Sequence, residues 1–210
     1  MAKERLKSPR ARLFVALDLP NGVREALVAW QEAECADPAL RPVAPEALHV
    51  TLCFLSYHPE KAIGRIAEIV TGVAPRPIPL RFDPDPVPLP RSHPRLFALG
   101  AESDAAIALQ QELSDALRAE RFYEPEKRVF WPHVTVARGR SERRGHASGR
   151  GRRGRPQRVE RPPERLPEAL LRPVGCVRVA LYRSILKPQG AEYVRLAGLD
   201  LPPAQGEEGD

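Results

Sequence analysis

A strand, a helix and a second strand carrying His-Val-Thr occur twice in this chain, and no other feature limits its fold as strongly. Arg12-Leu13-Phe14-Val15-Ala16-Leu17 is echoed by Arg95-Leu96-Phe97-Ala98-Leu99, and Leu48-His49-Val50-Thr51 by Pro132-His133-Val134-Thr135. The offsets nearly agree, 83 residues for the first strands and 84 for the second. Between the partners, apolar residues recur at helical spacing: Val23, Leu27 and Trp30 in one copy, Ile107, Leu109, Leu113 and Leu117 in the other. A further helix is predicted over residues 59–73, on Ile63, Ile66, Ala67 and Val70. A proline-punctuated stretch is expected to hold an edge strand over 78–82. Two copies are too few for a solenoid, which needs at least about three repeats. They fit two lobes related by a pseudo-two-fold axis.

The spacing inside the repeated motif has a geometric meaning. Side chains two apart on a strand point to the same face, so His49 projects with Thr51, and His133 with Thr135. Val50, Leu52, Val134 and Val136 then face the helices. Random placement of five His and three Thr would produce roughly 0.07 His-x-Thr spacings in a chain of 210 residues. Chance is a poor account of two. For one motif alone, the default is a His and a Thr on the solvent face of an ordinary sheet. For the pair, a pseudo-dyad brings two imidazoles and two hydroxyls to one groove.

Several chemistries use such groups. A catalytic zinc usually needs a third protein ligand, and no Asp, Glu or Cys accompanies both motifs. Cys53 shares the strand parity of His49 but reads as a small buried apolar residue. No Ser or Cys stands in a nucleophile elbow. Acid–base catalysis fits better. A neutral imidazole takes a proton from the attacking oxygen, and an imidazolium gives one to the leaving oxygen. Histidine reaches both states near neutral pH with small environmental shifts. Threonine hydroxyls can donate to an anion held between the imidazoles. The pattern points to phosphoryl chemistry without metal or cofactor.

The net charge of +6 invites a nucleic-acid reading of the whole chain. Residues 139–165 contain ten Arg against Glu142, Glu160 and Glu164, a local +7; subtracted from +6, it leaves the remainder at −1. The basic character belongs to one segment, rich in Arg, Gly and Ser and unable to bury much apolar surface. It is expected to be a flexible insert in a single domain spanning residues 11–200, with disordered tails at 1–10 and 201–210. Cys35, Cys53 and Cys176 are odd in number and lack CxxC pairing, as suits a reducing cytoplasm. No apolar run approaches the length of roughly 18–20 residues that spans a bilayer, and the basic N-terminus reads as neither signal nor anchor. The expectation is a cytoplasmic monomer with no membrane partner.

At this level the chain resembles the 2H phosphoesterases, in particular the RNA 2′,3′-cyclic phosphodiesterases, also described as 2′-5′ RNA ligase-like proteins. The resemblance rests on Arg12 to Pro20, Leu48 to Leu55, Pro94 to Leu99, Trp131 to Arg138 and Leu181 to Ser184. It implies an α+β fold, bilobal, with two pseudo-symmetric antiparallel-sheet lobes and outer helices around a central cleft. It also implies hydrolysis of an RNA terminal 2′,3′-cyclic phosphate, or of a small cyclic nucleotide, to a 2′-phosphate. By the same resemblance His49 is the proton donor, His133 the proton acceptor, and Thr51 and Thr135 hold the phosphate oxygens. Arg138 stands where the family often has a basic residue near phosphate, although strand parity turns it away from His133. Trp131 has the parity to offer a base a stacking face, whereas Phe54, at an odd offset from His49, is expected in the core. Ser56-Tyr57 departs from the family's common glycine, and the Arg-rich insert is longer than usual. Alternatives are 2′-5′ RNA ligation, a small cyclic-phosphate substrate, or an RNA-binding module using the Arg-rich loop.

Overall fold

A run of alternating and continuous apolar residues makes the first strand, β1 (Arg10–Asp18), whose Leu13, Val15 and Leu17 are fully buried. Pro20 stops it and opens α1 (Asn21–Glu34), which buries Leu27, Trp30 and Gln31 along one stripe. A short β2 (Leu40–Pro42) leads into β3 (His49–Pro59), followed by α2 (Ile63–Thr71) with Ile66 and Val70 inward. The second copy follows β4 (Pro79–Phe82) and β5 (Val87–Leu89). It comprises β6 (Leu96–Glu102), α3 (Asp104–Ala119) and β7 (His133–Gly139). Ser103 caps α3 by accepting from the Ala106 N–H at 3.1 Å. The chain closes with β8 (Val174–Gly175) and a long hairpin of β9 (Arg178–Lys187) and β10 (Gly190–Asp200).

The structure is a computed structural model that describes residues 9–141, 157–187 and 190–204. Residues 1–8, 142–156 and 205–210, on which much of the expected tails and insert fall, lie outside the described residues. The inner ends of all three are tied down. Arg10 heads β1, Pro9 accepts from the Glu60 N–H at 3.0 Å, and Leu201 donates to Val177 at 3.0 Å. Residues 139–141 and 157–165 likewise belong to the body. Arg140 N–H reaches Ala39 at 2.7 Å, and the Asp37 carboxylate accepts from the backbones of Glu160 and Arg161, both at 2.8 Å.

The strands run β10-β9-β1-β3-β7-β6-β4-β8 in one antiparallel sheet, with β2 added to β7 and β5 to β6. Four strands therefore lie on each side of the β3/β7 junction, the two-lobed α+β arrangement expected. The junction pairs Val50 with Val134, 84 residues apart and equivalent in the repeat, so the pseudo-dyad passes between them. Two expectations change. The strand at 79–82 is not an edge, because β4 pairs with β6 on one side and β8 on the other. The first strands align at an offset of 82, not 83, beside the motifs: Ala16 lies opposite Thr51, and Ala98 opposite Thr135. Among the described residues no helix is long and apolar enough to cross a membrane.

Candidate active site

Because β3 and β7 meet antiparallel at Val50 and Val134, the flanking His and Thr of both strands emerge on the same side. His49, Thr51, His133 and Thr135 all line one cavity of about 140 Å³. Its remaining wall includes Arg12, Phe14, Phe54, Arg138, Ser184 and Tyr193. Two guanidinium groups and no carboxylate or thiolate face this space, a donor set suited to an anion.

Arg138 reaches the cavity because the strand bulges. Across β6 and β7, Ala98 pairs with Thr135 and Phe97 with Ala137, leaving Val136 unopposed. Val136 and Ala137 are both fully buried, and the alternation restarts with Arg138 on the face of Thr135. Across β1 and β3, Ala16 pairs with Thr51 and Val15 with Cys53, leaving Leu52 unopposed. There Leu52 and Cys53 are buried in succession, and Phe54 is turned to the cavity at 40% exposure. The expectation that Phe54 packs in the core is thus overturned. Strict parity fails at the same point in both copies, since Leu52 and Val136 are 84 residues apart. Phe54 and Arg138 are equivalents in the repeat. Cys53, which parity assigned to the cleft face, is buried and free, with its thiol pushed up to about 12 chiefly by desolvation.

The two imidazoles sit in different surroundings. His49 stacks on Phe14 with ring centroids 5.1 Å apart and meets the edge of Tyr193 at 5.4 Å. Burial pushes its pKa down to about 4; a hydrogen bond to the Glu46 backbone and the Asp18 charge oppose this, while Arg138 and His133 reinforce it. Asp18, directly opposite His49 on β1, is itself held by the Tyr182 hydroxyl at 2.7 Å and by Arg178 at 3.3 Å. His133 lies against Trp131, 4.7 Å between centroids at 17°. Its Nδ1 is 2.8 Å from the Trp131 carbonyl. A carbonyl can only accept, so Nδ1 carries the hydrogen and Nε2 keeps its lone pair in the neutral ring. One face of Trp131 is therefore taken by His133, and the indole does not line the cavity. Its expected role beneath a base gives way to one of supporting an imidazole.

Gly100 stands opposite His133, where Asp18 stands opposite His49. A Cβ there would come within 2.0 Å of the Asp83 carboxylate and 3.0 Å of the Trp131 ring. Any larger residue there would have to displace the Asp83 carboxylate and press on the indole.

Sequence parity missed Arg12, Phe14, Ser184 and Tyr193 as cavity residues. Arg12 donates to the Ser184 hydroxyl at 2.9 Å and lies 4.6 Å above the Phe54 ring. That junction spans 172 residues of sequence. Only the pairing of β1 with β9 could have revealed it. Among the described residues, Thr51, Thr135 and Arg138 have no protein partner for their polar side-chain atoms, which leaves these donors to a ligand.

A family model described as the 2′-5′ RNA ligase superfamily matches residues 20–148. The chain is 29% identical to an RNA 2′,3′-cyclic phosphodiesterase of Thermus thermophilus, covering 94% of this chain and 93% of that one. It is 35% identical to the Escherichia coli protein of the same name, over 62% and 73%, and 30% identical to that of Methanothermobacter thermautotrophicus, over 88% and 95%. Among solved structures, one from Thermus thermophilus superposes with a TM-score of 0.73 at 27% identity, covering 90% of this chain and 97% of the other. Escherichia coli LigT complexed with 3′-AMP shares the fold, with a TM-score of 0.67 at 24% identity over 92% and 99%.

Proposed function

The chain belongs to the 2′-5′ RNA ligase superfamily, and from that premise we propose that it hydrolyses the 2′,3′-cyclic phosphate at an RNA end to a 2′-phosphate. The observation that carries the reading is the convergence of His49, Thr51, His133 and Thr135, with Arg12 and Arg138, on one small carboxylate-free cavity. A water oxygen attacks phosphorus while His133 Nε2 takes its proton. The P–O3′ bond breaks as His49 delivers a proton to O3′, so a 2′-phosphate and a free 3′-hydroxyl leave. Thr51, Thr135 and Arg138 hold the non-bridging oxygens, where negative charge grows in the transition state. The exposed ring of Phe54, backed by Arg12, offers a base a π face.

His49 must be protonated to act as donor, yet its protein surroundings alone keep it neutral at pH 7. The substrate resolves this. A monoanion about 4 Å away, at an effective dielectric near 20, is worth about 4 kcal/mol, or about three pKa units. Binding the cyclic phosphate thus lifts His49 to near neutrality, and the substrate charges its own general acid. The same groups acting on an RNA 5′-hydroxyl in place of the attacking water, with His133 taking its proton and His49 again protonating the departing O3′, would give 2′-5′ ligation, a second reading favoured by the superfamily the chain belongs to.

The test is product analysis by chromatography on a nucleoside 2′,3′-cyclic phosphate in the presence of EDTA. The 2′-phosphate is expected, with turnover lost in His49→Gln and in His133→Gln. A 3′-phosphate product, or turnover retained in either variant, refutes the reading.

A further inference from the structure

The cavity between the two His-Val-Thr strands, at about 140 Å³, is smaller than the range of about 300–1,000 Å³ that holds nucleotide-sized ligands. It suits a phosphate with part of its sugar, so the rest of an RNA end must lie elsewhere. Tyr193 walls this cavity on one side, and its other side faces a second chamber of about 520 Å³. His49 lies at the divide, 5.4 Å from Tyr193 and 6.2 Å from Tyr182, both of which line the second chamber.

We propose that this second chamber holds the phosphodiester on the 5′ side of the terminal nucleotide, gripped by Arg195 and Arg24, and so makes the protein prefer an oligonucleotide end to a mononucleotide. The inference rests on the phosphodiesterase reading above, and in particular on His49 protonating O3′. The leaving oxygen belongs to the ribose. The ribose and the chain behind it therefore lie on the His49 side of the phosphorus, toward the chamber, while water enters from the His133 side.

Charge supports the same placement. The chamber is lined by Arg24, Arg178 and Arg195 against Asp18 and Glu46. Arg178 is committed, donating to Asp200 at 2.7 Å and to Asp18 at 3.3 Å, which also neutralises Asp18. Arg24 reaches only the amide oxygen of Asn21, and Arg195 has no hydrogen-bond or ion-pair partner among the described residues. Two uncommitted guanidinium groups thus face one acid, Glu46, across a chamber whose tyrosine walls can also take a base.

The experiment compares kcat/KM for a dinucleotide ending in a 2′,3′-cyclic phosphate with that for the matching nucleoside 2′,3′-cyclic phosphate. The wild type should prefer the dinucleotide about tenfold or more, the effect expected of a charge-assisted phosphate contact. In Arg24→Gln/Arg195→Gln that preference should vanish while the mononucleotide rate stays unchanged, which also shows that the variant is folded. Arg195→Glu should reverse the preference. A wild type without preference, or a variant that keeps it, overturns the subsite and leaves the phosphodiesterase reading standing. Equal losses on both substrates overturn it too, since they would mean an effect on His49. A wild type inert on both substrates overturns the phosphodiesterase reading and the subsite together.

Discussion

Acidifying the ligand-free protein measures the surroundings of His49 directly. Burial between Phe14 and Tyr193 holds its folded pKa at about 4, against 6.5 for an unperturbed imidazole. Between those values the unfolded chain binds a proton at this position that the folded protein does not. Stability is therefore intact above pH 6.5 and falls as the pH drops from 6.5 to 4. A gap of about 2.5 units at 1.36 kcal/mol each corresponds to about 3 kcal/mol. In a protein of this size that is a fall in Tm of about 6–12 °C. Carboxylates titrate over part of the same interval, so the informative quantity is a difference. Urea unfolding of the wild type and of His49→Gln at pH 7 and pH 4 cancels their contribution. The wild type should lose about 3 kcal/mol more than the variant. Saturating inorganic phosphate should shrink the gap, because an anion in the cavity raises the pKa of His49. Losses equal to within about 0.5 kcal/mol would refute desolvation as the state of the ring, and with it the need for substrate to supply the charge.

The same logic reaches the kinetics: the limb assigned to His49 should lie about two to three units higher in the pH profile of kcat than in that of kcat/KM, since only the former sees the bound anion. Coincident limbs would remove this coupling. Arg138→Ala should lower kcat/KM about 10–100-fold through a lost charge-assisted contact, while His49, relieved of a neighbouring cation, should titrate at higher pH by NMR. Gly100→Ala drives a methyl into the Asp83 carboxylate and should cost about 1–3 kcal/mol by urea unfolding; the loss should be smaller in an Asp83→Ala background. Ser56 adopts a positive φ of 64°, and such a backbone costs an L-residue about 1–2 kcal/mol. Ser56→Gly, after about 0.5–1 kcal/mol for glycine's extra freedom in the unfolded chain, should raise Tm by about 1–4 °C.

What the sequence made legible was periodic or duplicated. The helices over Val23 to Glu34 and Ala105 to Ala119 follow from apolar spacing, and the meeting of His49 with His133 follows from two matching strands placed about a pseudo-dyad. Failures arose where one residue breaks a period. The unopposed Leu52 and Val136 invert the alternation, so parity assigned Phe54, Cys53 and Arg138 to the wrong faces. A bulge depends on how two strands pair, and neither strand carries that register alone. Arg12 and Ser184 were hidden for a related reason, their contact arising from the β1/β9 ladder between segments far apart in sequence. Trp131 had the right parity, but Pro132 follows it and its ring is spent on His133.

Duplication supplies two identical triplets, and two-histidine acid–base chemistry requires that they differ. Each position that breaks the symmetry bears on this. Asp18 faces His49, whereas its counterpart Gly100 brings no side chain to His133. Phe14 and Tyr193 enclose one imidazole in aromatic carbon; Trp131 supports the other and orients it through its own carbonyl. Beyond the paired bulges, Phe54 turns into the cavity from one strand and Arg138 from the other, an apolar ring opposite a fixed positive charge. Asp18 favours a protonated His49, the proton donor, while Arg138 opposes it; the Trp131 carbonyl fixes the hydrogen on His133 Nδ1 and leaves its Nε2 free to accept. Exchanging only the triplets would therefore leave the division of labour where it is, because the difference between the histidines resides in their neighbours.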